Sequence, residues 1–279
     1  MSPAIVALVL CAAVMHATWN AMLKSGGDRL RAVTLMSLAS GAAALPFLPV
    51  LPLPAAAAWP ALLLSAAIHV AYNLFLVLAY RHGDLGQVYP IARGSSPLLI
   101  TLAAALIAGE TPGPSAFLGI LLVSAGIASL SRGWAAGASR RGMLAALATG
   151  VLIAAYSVAD GIGGRLSGAP HAYAAWLFVI DTVPMPLIYW AVRGRRVPLV
   201  DGSAATWRAA GGGCVSLVAY ALVIYAASVA PMGAVSALRE TSVVFAALIG
   251  RMFLAERLSP GRLASCAAVA LGAALLGTR

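Results

Sequence analysis

Apolar stretches of close to twenty residues, separated by short polar or Gly/Pro-rich breaks, run the whole length of the chain. A helix needs about 20 apolar residues to cross the hydrocarbon of a bilayer. Cutting the sequence at its punctuation therefore predicts ten spans, covering approximately residues 3 to 23, 32 to 51, 58 to 80, 86 to 108, 113 to 131, 142 to 162, 171 to 192, 208 to 229, 233 to 254 and 260 to 277. The longest breaks, 132 to 141 and 193 to 207, are too short for a soluble domain. The opening stretch MSPAIVALVLCAAVMHATWNAM carries no basic residue ahead of its apolar run, so it is read as a first span and not as a cleaved signal peptide.

The pattern then repeats. At an offset of 146, Arg93 falls over Arg239, Ser96 over Ser242, Glu110 over Glu256, Pro114 over Pro260, Gly126 over Gly272 and Leu130 over Leu276. His16 and Asn20 fall over Tyr156 and Asp160 at an offset of 140. Two five-helix units follow, residues 1–134 and 142–279. An odd number of helices per unit inserts the second upside down relative to the first. The predicted fold class is an all-α membrane protein with ten transmembrane helices as two inverted five-helix repeats. Such repeats place a ligand site near the midplane, where they meet.

Composition agrees with this pattern. At 62% hydrophobic and 9% charged residues, with a mean hydropathy of +0.94, too little polar surface exists for a water-soluble globule. The net charge of +10 would suggest nucleic acid in a soluble protein. Here the basic residues crowd one set of breaks (Lys24, Arg29, Arg31, Arg81, Arg132, Arg140, Arg141, Arg193, Arg195, Arg196, Arg208, Arg251, Arg257 and Arg262) and leave only Arg165 and Arg279 on the other. Nucleic acid is therefore not an expected partner; membrane lipid is. The positive-inside rule makes the crowded face cytoplasmic and puts both termini on the opposite side. Cys11, Cys214 and Cys266 stand singly in apolar runs and read as packing residues. With no HExxH, GxSxG, Walker loop or metal-spaced Cys/His set, neither an enzyme nor a cofactor nor a metal site is expected. Gly119 and Gly126, like Ser265 and Gly272, lie seven apart on one helix face, which suits close helix packing or a homodimer contact.

Charge inside the spans is where function is expected. An arginine at the centre of a membrane helix costs about 3 kcal/mol on insertion scales, so a duplicated one argues for a task needing positive charge. Arg93 and Arg239 each lie about seven residues into a span, roughly 10 Å deep at the helical rise. Approaching from opposite sides, two guanidiniums facing one cavity suit a carboxylate or phosphate. The plainer reading is snorkelling, or pairing with Glu240 or Asp181. Asp181 precedes Pro184 and Pro186, which should break its helix. It is the first candidate for proton coupling, with Asp160 and Glu240 as further candidates. His16 with Asn20, and His69 with Asn73, are spaced four apart and share helix faces that should turn toward a ligand; packing histidines are the bland alternative. Tyr89, Tyr156 and Trp176 complete the expected substrate lining.

The stretch LRETSVVFAALIGRMFLAERLSPGRLASCAAVALGAALL, residues 238 to 276, with Leu254, Glu256, Arg257, Leu258 and Gly272, resembles the EamA-type ten-helix branch of the drug/metabolite transporter superfamily, as does HATWNAMLK from His16 to Lys24. The resemblance covers essentially the whole chain. It implies two inverted five-helix repeats around a central cavity and secondary transport of small metabolites, commonly amino-acid export. Small multidrug relatives carry a glutamate in the first helix, whereas this first helix has no acid, which weakens a drug/proton antiport reading. Ten-helix relatives are usually described with cytoplasmic termini, opposite to the charge bias here. The expected function is secondary active transport, in the export direction, of a small metabolite bearing an anionic group (an amino acid, an organic acid or a phosphorylated compound) across a bacterial inner membrane. The rivals are a multidrug exporter of lipophilic cations, a membrane-embedded lipid enzyme, for which no DDxxD-type cluster exists, and a pore.

Overall fold

The structure is a computed structural model. It describes the chain except residues 24–27, 83–84, 132–139, 195–197, 254–258 and 278–279, and it leaves out the side chains of 23, 76–89, 140–142 and 253 as well. Ten helical spans are long and apolar enough to cross a membrane. Helices α1 (Pro3–Leu23), α2 (Arg29–Ala44), α3 (Trp59–His82), α4 (Leu85–Ala108) and α5 (Pro114–Ala128) form the first repeat. The second comprises α6 (Arg140–Leu166), α7 (Pro170–Asp181) with α8 (Pro184–Arg193), α9 (Ala204–Val229), α10 (Met232–Arg239) with α11 (Ser242–Phe253), and α12 (Pro260–Gly277).

Two spans are broken. The seventh stops at Asp181 and restarts at Pro184, where the missing proline N–H is harmless at a helix start. The backbone freed by the break is bound by α2: the Ser37 hydroxyl donates to the Asp181 carbonyl at 2.7 Å, and the Thr182 hydroxyl lies 3.1 Å from the Ser37 carbonyl. The ninth breaks between Arg239 and Ser242 without any proline. There the Thr241 hydroxyl takes the Leu238 carbonyl at 2.8 Å, diverting an acceptor from the helical ladder.

The second helix begins three residues earlier than its hydropathy predicts. The Asp28 carboxylate caps it by accepting from the Arg31 N–H at 3.1 Å, an ordinary N-cap bond. Arg29 and Arg31 are thus first-turn helical residues, not loop residues. The eighth span, α9, also starts early, with Ser203 as its cap.

Helices α5 and α12, equivalent in the two repeats, pack on each other through their glycines. A Cβ on Gly272 would sit 2.6 Å from the Gly119 carbonyl oxygen, one on Gly119 2.8 Å from that of Gly272, and one on Gly126 3.1 Å from that of Ser265. Ser129 and Ser265 share a hydroxyl hydrogen bond of 2.6 Å. The small-residue faces, expected to serve close helix packing or a homodimer contact, thus pack on each other within one chain. The main apolar core joins α1, α4, α5, α6, α9, α10 and α12, while Leu63, Leu102, Leu118, Leu147, Leu187 and Leu271 remain exposed as a lipid-facing surface.

Candidate functional site

A cavity of about 200 Å³ lies between the repeats, lined by α1, α2, α3, α4, α6, α7, α9 and α10. It runs from the middle of the bundle toward the face carrying Arg29, in the first turn of α2. Eight residues expected at the site line it: His16, Asn20, His69, Asn73, Arg93, Tyr156, Asp181 and Arg239. The i, i+4 pairs on α1 and α3 both turn inward, as their spacing requires.

The two arginines converge without being equivalent. Glu240, fully buried, lies between them, 2.9 Å from Arg93 Nε and 3.6 Å from Arg239 Nη2. Arg93 Nη2 also contacts His16 Nε2 at 3.1 Å. A guanidinium can only donate, so Nε2 accepts and His16 carries its proton on Nδ1. Arg93 is thus held by Glu240 and His16. Arg239 has the longer ion pair, and its Nε and Nη2, like both carboxylate oxygens of Glu240, are buried without a hydrogen bond among the described residues. Sequence spacing finds both arginines but not this division of labour, which comes from Glu240 having no counterpart: position 94 in the first repeat is glycine.

Asp181 faces the cavity and pairs with His69, with Oδ2 and Nδ1 3.2 Å apart. This joins α3 of the first repeat to the broken span of the second. The ring of His69 lies among Tyr156 and Tyr220, at centroid separations of 4.3 and 5.6 Å. Tyr72 is 5.6 Å from Tyr156, and Phe178 is 6.1 Å from Tyr220. One wall of the cavity is therefore aromatic and the other cationic.

Three expected residues fall elsewhere, and a fourth is not described. Asp160 accepts from Tyr173 at 3.0 Å and Tyr220 at 2.5 Å; it lines a separate cavity of about 20 Å³, one turn past Tyr156 and screened from the large one by Tyr220. Trp176 packs edge-on against Trp59 at 5.3 Å, outside the cavity lining. It lies five residues before Asp181, which turns it to another face of α7, whereas Phe178, three residues before, shares the Asp181 face. Glu240 is the charge between the arginines and does not line the cavity. The side chain of Tyr89 lies outside the described residues.

Lining residues not expected include Arg29, Ser37, Ser40, Ser216 and Phe178. The signal for Arg29 was the capping Asp28 just before it, which marks a helix start. No group of three or more His, Cys, Asp or Glu side chains that could hold a metal occurs among the described residues.

The model of the EamA-like transporter family matches residues 3–132 and 140–278. No curated protein matches the sequence. Among solved structures, a crystal structure of another protein aligns with a TM-score of 0.76 at 20% identity, over 99% of this chain and 96% of that one. At that identity the likeness is one of fold.

Proposed function

Since the chain belongs to the EamA-like transporter family, a membrane transporter family of the drug/metabolite superfamily, we propose that its cavity carries a small metabolite bearing an anionic group across the membrane by alternating access. An amino acid or an organic or phosphorylated acid fits the chemistry. The observation that supports this most is Arg239, which lines the cavity and whose buried Nε and Nη2 make no hydrogen bond to the described protein, Nη2 having only its 3.6 Å ion pair with Glu240. Buried polar groups are nearly always hydrogen-bonded, and a bound carboxylate or phosphate is the acceptor that suits a planar fork. Arg93 then acts by fixing Glu240 and His16 around the site.

The size of the cavity favours a compact solute. About 200 Å³ lies below the roughly 300–1,000 Å³ of sites for drug-sized molecules. Asp181 with His69 is the coupling pair in this reading. Asp181 is the carboxylate among the cavity-lining residues, while Asp160 is tied to two tyrosines and Glu240 to two arginines. The cavity runs toward the arginine-rich face. With the arginine-rich face taken as cytoplasmic on its charge bias, this is the cytoplasm-open state that transport in either direction must visit; export across a bacterial inner membrane is the direction this reading adopts from the family resemblance.

The aromatic wall and the Arg93–Glu240 pair favour one rival, export of lipophilic cations. Thermal stabilisation of the detergent-purified protein by glutamate, succinate, glycerol 3-phosphate and tetraphenylphosphonium, compared with Arg239→Gln, separates the two. A ligand at 100 times its Kd stabilises by about 2.7 kcal/mol. The anion reading expects an anionic compound to stabilise the wild type and the response to vanish in a folded Arg239→Gln. Stabilisation by tetraphenylphosphonium alone, kept in the variant, overturns it.

A further inference from the structure

On the face opposite the cavity mouth, one arginine ties together pieces of both repeats. Arg165, at the end of α6, donates through Nε to the Ala227 carbonyl at 3.1 Å, and through Nη2 to the same carbonyl at 2.9 Å and to that of Ala230 at 3.0 Å. These are acceptors left over where α9 ends. The same Nη2 is ion-paired with Glu110, which lies in the turn between α4 and α5. Glu110 Oε2 in turn accepts from the Met232 N–H at 2.8 Å, at the first residue of α10. A carboxylate is favoured there because a helix N-terminus carries partial positive charge. The cluster thus clamps the α4–α5 corner of the first repeat onto α6, α9 and α10 of the second.

Two further contacts seal the same face. The Ala55 N–H donates to the Ser167 carbonyl at 3.1 Å, and a Cβ on Gly233 would lie 3.0 Å from Thr101 Cβ. Arg165 is also the one basic residue that the described sequence places on this face, against the bias that keeps arginines on the other. An arginine kept there in spite of that bias, partly exposed yet making three backbone hydrogen bonds and an ion pair, calls for a reason beyond surface charge.

We propose that the Glu110–Arg165 clamp is the gate latch of the arginine-poor face, closed while the cavity opens to the arginine-rich face and broken whenever the cavity opens the other way. The proposal rests on the alternating-access reading. Opening this face must part the two repeats at the α4–α5 corner, and the charged contacts that cross the corner are those of Glu110. Because Glu110 also holds the first residue of α10, and Arg239 ends that eight-residue helix, release of the latch frees the segment carrying the anion-binding guanidinium. Ligand at Arg239 and opening of the gate thereby act on one rigid piece.

The test uses the full chain in lipid nanodiscs with Cys11, Cys214 and Cys266 replaced by alanine, and a single reporter cysteine modified by a water-soluble maleimide. Ser236→Cys reports on the sealed side: Ser236 is buried and lines the small cavity beneath the clamp. Ser216→Cys reports on the open cavity. Glu110→Gln keeps an oxygen for the Met232 N–H and removes the charge that faces Arg165. A tenfold shift in the balance of two states corresponds to about 1.4 kcal/mol, and one hydrogen bond to a charged group is worth at least that.

The expected result is that Glu110→Gln raises the Ser236→Cys labelling rate about tenfold and lowers that of Ser216→Cys, while Arg165→Lys, which keeps the ion pair, gives rates between those of wild type and Glu110→Gln. An unchanged Ser236→Cys rate in Glu110→Gln overturns the latch. Rates that rise together at both reporters overturn the alternating motion on which it rests, since a latch between two exclusive states cannot expose both sides at once.

Discussion

Removing the charge of Glu240 is the sharpest perturbation of the site. This carboxylate is fully buried between Arg93 at 2.9 Å and Arg239 at 3.6 Å. At an effective dielectric of 20 the two separations correspond to gross attractions of about 6 and about 5 kcal/mol, most of which offsets the cost of burying three charges. Breaking such a pair from one side strands the remaining charges, and losses of about 3–5 kcal/mol are typical. Glu240→Gln is therefore expected to lower stability by about 3–5 kcal/mol, measured by reversible unfolding in mixed micelles. Arg93→Gln should cost more than Arg239→Gln, because Arg93 also holds His16 at 3.1 Å, whereas Arg239 makes no hydrogen bond within the described protein. In the double variant Arg93→Gln/Glu240→Gln the losses should be well below additive. A Glu240→Gln cost under about 1 kcal/mol, in the range of an exposed pair, would refute the buried triad. So would a larger loss in Arg239→Gln than in Arg93→Gln.

Two other expectations concern the scaffold. Gly272→Ala should destabilise by about 1–3 kcal/mol, because its Cβ would meet the Gly119 carbonyl at 2.6 Å, while Gly277→Ala, with open space around it, should stay within about 0.5 kcal/mol of wild type; thermal melts of both variants decide it. At the arginine-rich face, hydrogen bonds from the Thr206 hydroxyl and the Arg31 guanidinium hold the Asp201 carboxyl below the usual carboxylate range. A group depressed in the folded state stabilises above its unfolded pKa of about 3.9 and loses that contribution as pH falls through the folded value. The difference in melting temperature between wild type and Asp201→Asn should thus be constant from about pH 8 to about pH 5 and shrink only in stronger acid; a change between about pH 6 and 8 would contradict the assignment.

The spans were legible because membrane solvation demands runs of about 20 apolar residues. The repeat was legible because Arg93 and Arg239 keep one offset. The break in the seventh span announced itself through Pro184 and Pro186. The break after Arg239 did not, since it depends on a threonine hydroxyl taking a carbonyl and on Glu240 being drawn toward two arginines. The partner of Asp181 was hidden for a similar reason: His69 lies over a hundred positions away, and only the packing of α3 on α7 brings the two within 3.2 Å. Trp176 was misplaced because apolar character alone does not say which face of a helix meets a cavity. Its distance of five residues from Asp181, set against three for Phe178, carried that information.

Solute counterflow in proteoliposomes tests the central claim most directly, using the anion from the stabilisation panel that gives the largest response. Wild-type protein should exchange labelled for unlabelled anion saturably, Arg239→Lys should retain part of that exchange, and Arg239→Gln, shown to be folded, should lose it. Exchange by Arg239→Gln equal to wild type, or no exchange of any anion by the wild type, would contradict an anion-carrying cavity built around Arg239.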